Sequence, residues 1–311
     1  MKLLKFNIAV FILLSGGVSF AQQLPQFTQY MYNTISINPA YAGSRETLSI
    51  VGLHRSQWVG LDGAPTTQTL SVHTPMQNEK VGLGLSFIND ELGYENFSYL
   101  YGDFSYTIPV GLKTKLAFGL KAGFTQYNID RELLTDPTVV TDHFFDDVSN
   151  RFSPNMGIGA FLHTDRWYLG LSAPRILNTD YNKGKQGTLD YVALERISYY
   201  FTGGYVFDLS NTTKFKPAML MKATNGAPLS FDITANFLFN DVFWLGGSYR
   251  INESAAALGA IADFQISKQL RIGYAYEYPL SELRAYTSGT HEILLMFEIF
   301  QSKRIKSPRF F

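Results

Sequence analysis

The sequence has no cysteine and few charged residues among its 311 positions. Without a thiol the chain has no disulfide, no thiol nucleophile, no Cys-ligated zinc or iron–sulfur cluster, and no cysteine-linked lipoprotein anchor. Charged residues make up 17%, against roughly 25% in ordinary soluble domains. Lys plus Arg and Asp plus Glu both total 26. The chain therefore lacks the basic surplus typical of nucleic-acid-binding proteins, and no nucleic-acid partner is predicted.

Long apolar runs are also missing after the first 21 residues, whereas a membrane-spanning helix needs about 20 consecutive apolar residues. Residues 1–21 are predicted to be a signal peptide. They combine the positive charges of Lys2 and Lys5, an almost entirely apolar core at Phe6–Leu14, and the small-x-small sequence Ser19–Ala21 expected at a cleavage site. We therefore expect this protein to be exported.

Aromatic residues are abundant at 15%, and the apolar residues recur with a period of two. Val81, Leu83, Leu85 and Phe87, for example, are separated by Gly82, Gly84 and Ser86. A period of two is typical of β-strands with unlike faces. Fourteen such runs predict strands at about 47–58, 66–74, 80–88, 95–108, 115–129, 153–163, 167–173, 198–207, 215–222, 230–238, 243–251, 255–266, 269–278 and 291–300.

The predicted connections differ in length according to their order. Short connections follow the even-numbered strands, and the long ones, at 130–152, 174–197 and 279–290, all follow odd-numbered strands. Short turns at one end and long loops at the other are typical of a transmembrane β-barrel, and a soluble sandwich has no reason to sort its loops in this way. We predict an all-β, antiparallel up-and-down transmembrane barrel of about 14 strands, preceded by a short helical or irregular lead-in.

The charged residues of the predicted strands fall on the less apolar face. Because Arg or Lys at the lipid midplane costs about 2–4 kcal/mol, we expect this face to line the lumen. Two pairs on neighbouring strands, Asp232 with Arg250 and Asp263 with Arg271, are predicted to interact across the lumen wall. The other predicted lumen charges are Asp103, Lys121, Glu277, Glu292 and Glu298. Aromatic residues near strand ends predict girdles at the membrane interfaces: Trp58, Tyr127, Trp167, Tyr199, Tyr200, Phe207, Trp244 and Tyr278.

Catalytic patterns are lacking. None of the five His residues belongs to an H-E-x-x-H sequence, and no G-x-S-x-G turn is present. An acidic patch in a long loop, made of Asp142, His143, Asp146 and Asp147, is compatible with calcium but is better explained as a solvated charge cluster. We predict no catalytic residue, no cofactor and no metal, and hence a protein that is not an enzyme.

Nine ordered sequence strings resemble one known family. They are QFTQYM (26–31), NPAYAG (38–43), RSQWVG (55–60), GAP (63–65), KP (216–217), GAP (226–228), WLGGSYR (244–250), IGY (272–274) and GTHEI (289–293), and the ending SPRFF (307–311) adds a tenth. In order and spacing they closely resemble the PorP/SprF family of the type IX secretion system.

This resemblance implies a multi-pass outer-membrane barrel of Bacteroidetes-type bacteria. It implies a role in exporting proteins or in retaining exported adhesins, including gliding-motility adhesins, through binding of their C-terminal sorting domains. Expected partners are outer-membrane lipid, such cargo and other type IX secretion components. The family includes both core machinery and members dedicated to one adhesin. A diffusion porin or small-solute channel is the alternative, and a barrel enzyme ranks third.

The predicted organisation has four parts. Residues 1–21 form the signal peptide, 22–45 a periplasmic lead-in, 46–300 the barrel and 301–311 a periplasmic tail, with both termini periplasmic. The amphipathic lead-in is expected either to plug the lumen or to cover its periplasmic rim. The candidate cargo-facing or family-motif positions are Asn38, Pro39, Gly43, Arg55, Trp58, Pro65, Pro228, Tyr249, Arg250, His291 and Glu292.

Overall fold

The computed structural model describes residues 25–77, 79–129, 151–179, 195–252 and 255–299. Fourteen antiparallel strands form one closed barrel in which each strand pairs with its neighbours in sequence and the last strand pairs with the first, from Leu48 opposite Ile299 to Ser56 opposite His291. The predicted fold class is therefore confirmed. The strands are β1 (Leu48–Ser56), β2 (Thr66–Pro75), β3 (Val81–Leu92), β4 (Glu95–Pro109), β5 (Lys115–Ile129), β6 (Arg151–His163), β7 (Trp167–Ala173), β8 (Ser198–Tyr205, resumed after Val206 as Phe207–Asp208), β9 (Thr213–Thr224), β10 (Ser230–Phe239), β11 (Phe243–Ile251), β12 (Ala257–Gln265), β13 (Leu270–Pro279) and β14 (Thr290–Ile299).

Among the residues that the structure describes, helical structure is limited to three short 3₁₀ turns, at Thr34–Ser36, Pro39–Tyr41 and Glu282–Ala285. Within the described ranges no helix has the length and apolar character needed to cross a membrane. The signal peptide, the acidic patch at 142–147 and the tail at 301–311 were predicted at positions that lie outside the described residues.

The two ends of the barrel differ in their connections. We call the end that carries the connections after the even-numbered strands the turn end, and the opposite end the loop end. The connections at the turn end span only three to five residues, from 164–166 to 76–80, whereas the loop end carries the long connections 57–65, 130–150, 174–197 and 280–289. This is the difference expected between the two sides of a transmembrane barrel.

The outward face of the barrel carries an apolar band, shown well by β4. Leu100, Phe104, Tyr106 and Ile108 are exposed on the outside, while the alternate side chains are buried inside. The nine residues from Leu100 to Ile108 match the roughly 9–11 residues that a tilted strand needs to cross a bilayer. Nearer the loop end the pattern reverses, with polar Asn96 and Ser98 outside and Phe97 and Tyr99 buried inside. The wall therefore extends beyond the apolar band at the loop end.

Three aromatic residues expected in the girdles lie inside the barrel instead. Tyr127, Tyr200 and Trp244 are 1%, 2% and 3% exposed. The period of two explains this, because Tyr127 is on the same face of β5 as the buried Lys121, and Tyr200 is on the opposite face of β8 from the exposed Tyr199. Phe207 and Tyr278 are exposed, as Tyr199 is, and Trp58 and Trp167 are half-buried.

Residues 25–47, which we call the plug, run through the interior of the barrel. The plug bonds to inward-facing side chains or backbone of β2, β4, β6, β7 and β14. Its first part lies at the loop end, where the Gln26 amide contacts Ser230 at the start of β10, and its last part reaches the turn end, where β1 begins. Residue 26 and residue 299 therefore lie at opposite ends of the barrel.

Candidate functional site

The lower part of the plug, residues 35–43, is packed directly on glycines of the wall, and we call it the anchor. A Cβ atom on Gly119 of β5 would lie 2.1 Å from the Ala40 nitrogen, and one on Gly82 of β3 would lie 2.1 Å from the Ala42 carbonyl oxygen. Such a distance is far below a van der Waals contact, so only glycine allows this close approach of two backbones. The inward glycines thus create the space that the anchor fills.

Hydrogen bonds also fix the anchor to the wall. The Asn38 side chain donates to the Ala160 carbonyl at 3.0 Å and accepts from the Ala40 N–H at 3.0 Å, so it both caps the second 3₁₀ turn and holds β6. The Gly43 N–H donates to His73 Nδ1 at 3.1 Å, and Gly43 has a φ of 75°, which favours glycine. The candidate positions Asn38, Pro39 and Gly43 are therefore parts of the anchor, and the first two are buried.

The upper part of the plug, residues 26–33, which we call the strap, lies against a cluster of charged wall residues. This cluster, the acidic clamp, consists of Arg55, Asp232, Arg250, Glu277 and Glu292. Arg55 pairs with both Glu292 and Glu277, the latter at 2.7 Å. Arg250 binds both Asp232 oxygens, at 2.8 and 3.2 Å, and reaches Glu277 at 3.2 Å. All five residues are buried, so the pairing predicted for Asp232 and Arg250 is present within a larger network.

The acidic clamp holds the strap through two backbone and two side-chain groups. The N–H groups of Thr28 and Gln29 donate to the two oxygens of Glu292, at 2.7 and 3.1 Å. The side-chain amide of Gln26 donates to Asp232 at 2.6 Å. Arg55 also donates to the Thr28 hydroxyl at 3.3 Å. Glu292 is thereby shared between the wall arginine and two consecutive peptide groups of the strap.

The second predicted pair, Asp263 with Arg271, is not joined directly. Asp263 is paired in register with Gly273, and Arg271 with Gln265, so the two charges are offset along the strands. Tyr32 of the strap lies between them, donating to Asp263 at 2.9 Å with its ring 5.1 Å from the Arg271 guanidinium. Burial raises the pKa of Tyr32, and the negative charge of Asp263 raises it further. The Tyr32 hydroxyl therefore remains a hydrogen-bond donor at neutral pH.

Two further buried ion pairs lie at the anchor and at the end of the plug. Lys121 pairs with Asp103 at 2.8 Å and also donates to the Ile35 carbonyl of the anchor at 3.2 Å. Arg45, just before β1, pairs with Glu298 of β14 at 2.6 Å. Of the nine charges predicted to face inward, eight are buried and Arg271 is half-buried. The interior is thus filled by the plug and by paired charges.

The remaining candidate positions lie apart from one another. Trp58 and Pro65 are half-buried in the loop 57–65, and Pro228 is half-buried in the loop 225–229. Tyr249 is exposed on the outward face of β11, and His291 is half-buried on the outward face of β14, where its Nδ1 lies 2.6 Å from the Tyr274 hydroxyl. Arg55, Arg250 and Glu292, by contrast, are enclosed in the acidic clamp and are not exposed at a rim, because they are on the inward faces of their strands.

The contacts of the strap could not be anticipated from strand periodicity. Thr28, Gln29 and Tyr32 contribute to the site although the lead-in shows no strand pattern. Glu277 was expected only as an isolated lumen charge. In the part of the chain that the structure describes, no group of three or more His, Asp or Glu residues is arranged to hold a metal ion.

Comparison with known proteins identifies the family. Residues 19–297 match the family described as "Type IX secretion system membrane protein PorP/SprF". The chain belongs to the PorP/SprF family. As a member of this family it is an outer-membrane component of the type IX secretion system, and the family predicted from the ten sequence strings is confirmed.

Solved structures similar to this PorP/SprF protein are barrels with low sequence identity. Omp33 of Acinetobacter baumannii is 9% identical, over 82% of this chain and 98% of that chain, with a TM-score of 0.48. The CymD monoaromatic hydrocarbon channel is 11% identical, over 88% and 92% of the two chains, with a TM-score of 0.49. No curated protein sequence matches the chain.

Proposed function

We propose that this PorP/SprF protein is a non-enzymatic surface-attachment component that binds the C-terminal sorting domains of secreted proteins at its loop end. The observation that carries the proposal is the filled lumen, combined with family membership. A barrel occupied by its own chain is poorly suited to free diffusion of solutes, which argues against the porin alternative. The long loops are then the surface on which cargo binds, and we propose that the loop end faces the cell exterior.

The loops 57–65 and 280–289, which we call the platform, offer a preorganised surface for such binding. Val59 N–H donates to the Gly289 carbonyl, and Ser288 N–H donates to the Val59 carbonyl, both at 2.8 Å. Gly93 N–H adds a bond of 2.9 Å from the next loop to Gly63. Loops held in this way lose little conformational entropy on binding. Tyr286, which is 70% exposed, projects from the platform beside the exposed Val59.

In Bacteroidetes-type gliding bacteria this proposal includes motility adhesins among the cargo, with other type IX secretion components delivering them. The proposed orientation also places residue 26 on the exterior side, which differs from the periplasmic lead-in expected from the sequence. Outer-membrane lipid contacts the apolar band throughout.

The filled lumen predicts a closed barrel in electrical recordings. We expect the purified wild-type protein in planar lipid bilayers to show no steady ion conductance, because the plug crosses the interior from the loop end to the turn end. A variant lacking residues 26–33 should show conductance steps, since the strap covers the wall from β10 to β14. Steady porin-like conductance of the wild-type protein would contradict the proposal and favour the porin alternative.

The platform predicts a specific loss of cargo attachment. In a strain lacking the gene, we expect large surface proteins to be depleted and small-solute uptake to be unchanged. Complementation with a Tyr286→Ala variant should restore the barrel but not the cargo, because truncating a central interface aromatic costs about 2 kcal/mol or more, or about 30-fold in affinity. Surface proteomics and cell-surface labelling measure the effect.

The matched control is Leu112→Ala, which removes a fully exposed apolar side chain from the turn end. This variant should restore surface proteins to the wild-type level. Barrel abundance is checked in every strain by the shift in gel mobility on heating. If Tyr286→Ala and Leu112→Ala support the same amount of surface cargo, binding at the platform is excluded; if surface proteins never fall in the gene deletion, the attachment role is excluded.

A further inference from the structure

The two parts of the plug contact the wall in different ways. The anchor lies backbone against backbone on wall glycines, and its Ile35 and Tyr41 side chains pack with Phe161 of β6. The strap bonds to the acidic clamp at its start, and the side chains of Phe27 and of residues 30–32 are buried in an apolar cluster with wall residues. Backbone packed on backbone cannot shift without opening the wall, whereas hydrogen bonds and side-chain contacts can be taken over by another peptide. The strap can therefore be exchanged while the anchor stays in place.

The acidic clamp recognises features that a peptide turn offers, because Thr28 and Gln29 begin the turn 28–32 and their two N–H groups converge on one carboxylate. Its Glu292 carboxylate accepts two consecutive backbone N–H groups, and Asp232 accepts from a side-chain amide. It combines three carboxylates with two guanidinium groups, so it has an excess of acceptors with negative charge. A turn-forming peptide segment with free backbone N–H groups, a donor side chain and apolar side chains complements this site and the apolar cluster beside it.

The strap does not satisfy all the polar atoms that it buries. The Gln29 side chain is completely buried, yet neither its carboxamide nitrogen nor its oxygen has a hydrogen-bond partner among the described residues. A buried amide without partners destabilises the arrangement that contains it. The Gln29 side chain therefore lowers the stability of the docked strap.

We propose that the acidic clamp is a peptide-binding site that the strap occupies in the resting protein, and that a turn-forming segment of a partner polypeptide with apolar side chains replaces it. The incoming segment places two consecutive N–H groups on Glu292 and a basic or amide side chain on Asp232. The anchor remains docked on its glycines during the exchange. This inference goes beyond the proposed function and does not depend on it, because the exchange is a property of the barrel alone.

A peptide with the sequence of the strap is a suitable probe, because the strap itself occupies the site. We expect a fluorescent peptide with the sequence of residues 22–31 to bind the purified full-length protein, measured by fluorescence anisotropy. A second peptide, N-methylated at the positions of Thr28 and Gln29, lacks the two N–H groups and should bind at least ten-fold more weakly. Equal binding of the two peptides, or no binding of the first at millimolar concentration, would overturn the proposal.

The absence of cysteine allows the strap to be fastened selectively. In the Gln26→Cys/Ser230→Cys variant, a reducible bis-thiol cross-linker joins the strap to β10, at side chains that are 3.4 Å apart in the native protein. Peptide binding should be lost on cross-linking and recovered when the linker is cleaved. The matched control is Asn33→Cys/Ser71→Cys, which ties only the base of the strap, at side chains 2.8 Å apart, and should leave binding unchanged. Binding that survives the first cross-link would show that the peptide binds elsewhere and would refute the proposal.

Discussion

Arg55→Ala should destabilise the folded barrel by about 3–5 kcal/mol, the usual cost of removing one partner from a buried ion pair. Arg55 is the shared partner of Glu277 and Glu292, and all three side chains are almost completely buried. Its loss leaves two carboxylates with only Arg250 to offset them. Urea-induced unfolding from phospholipid vesicles, followed by tryptophan fluorescence and gel mobility, measures the change in the free energy of unfolding.

The surface pair Arg166 with Asp208 at the turn end provides the control. Both side chains are about half-exposed, so Arg166→Ala should cost less than about 1 kcal/mol. Adding Glu292→Gln to Arg55→Ala should recover part of the lost stability, since it removes one unpaired charge. If Arg55→Ala cost no more than Arg166→Ala, the acidic clamp would have to be hydrated in the folded barrel.

The wall of the barrel follows closely from its sequence. Strict alternation fixes which face of a strand meets lipid, so it places Lys121 and Asp103 inside. The register of β4 and β5 then sets the two residues directly opposite each other, where they form an ion pair. The same rule places Asp232 and Arg250 on the inward face, and the register of β10 and β11 sets them opposite each other. The girdle prediction was wrong for Tyr127 and Trp244, because the general preference of aromatic residues for the interface was given more weight than the face on which these residues lie.

The interior depends on contacts that local patterns do not encode. Thr28 and Glu292 are 264 positions apart, and nothing in either segment specifies the other. The offset between Asp263 and Arg271 depends on the geometry of the turn between β12 and β13, which sets the register and which a pattern of alternating residues leaves open. Arg55 was expected at an exposed rim because it precedes a loop, but its inward direction and the strap enclose it.

The NPAYAG string illustrates the same division. Asn38 caps a 3₁₀ turn that begins at Pro39, and Gly43 is left-handed, so residue types that favour these conformations stand at these positions. The inward glycines of β3 and β5 leave room in the lumen. That the string fills this room is a tertiary fact, visible only when both segments are placed together.

Gly119→Val should therefore prevent the anchor from docking. The first side-chain carbon would lie 2.1 Å from the Ala40 nitrogen and 2.4 Å from the Pro39 carbonyl carbon, and backbone atoms cannot rotate away as a side chain can. The cost exceeds the roughly 1–3 kcal/mol of ordinary overpacking. In an Ala42→Cys/Ser105→Cys background, whose native Ser105 hydroxyl donates to the Ala42 carbonyl at 2.6 Å, thiol cross-linking should fall at least ten-fold.

Gly102→Val is the matched control, because it adds the same side chain to a glycine whose nearest neighbour beyond its adjoining residues, the Ala122 carbonyl oxygen, is 3.8 Å from the new carbon. Gly102 is on the outward face of β4, so its variant should cross-link as the parent does. Retained cross-linking in Gly119→Val would mean that the anchor has room to move off its glycines. The distinction between a fixed anchor and an exchangeable strap would then be lost, since both parts of the plug would be displaceable.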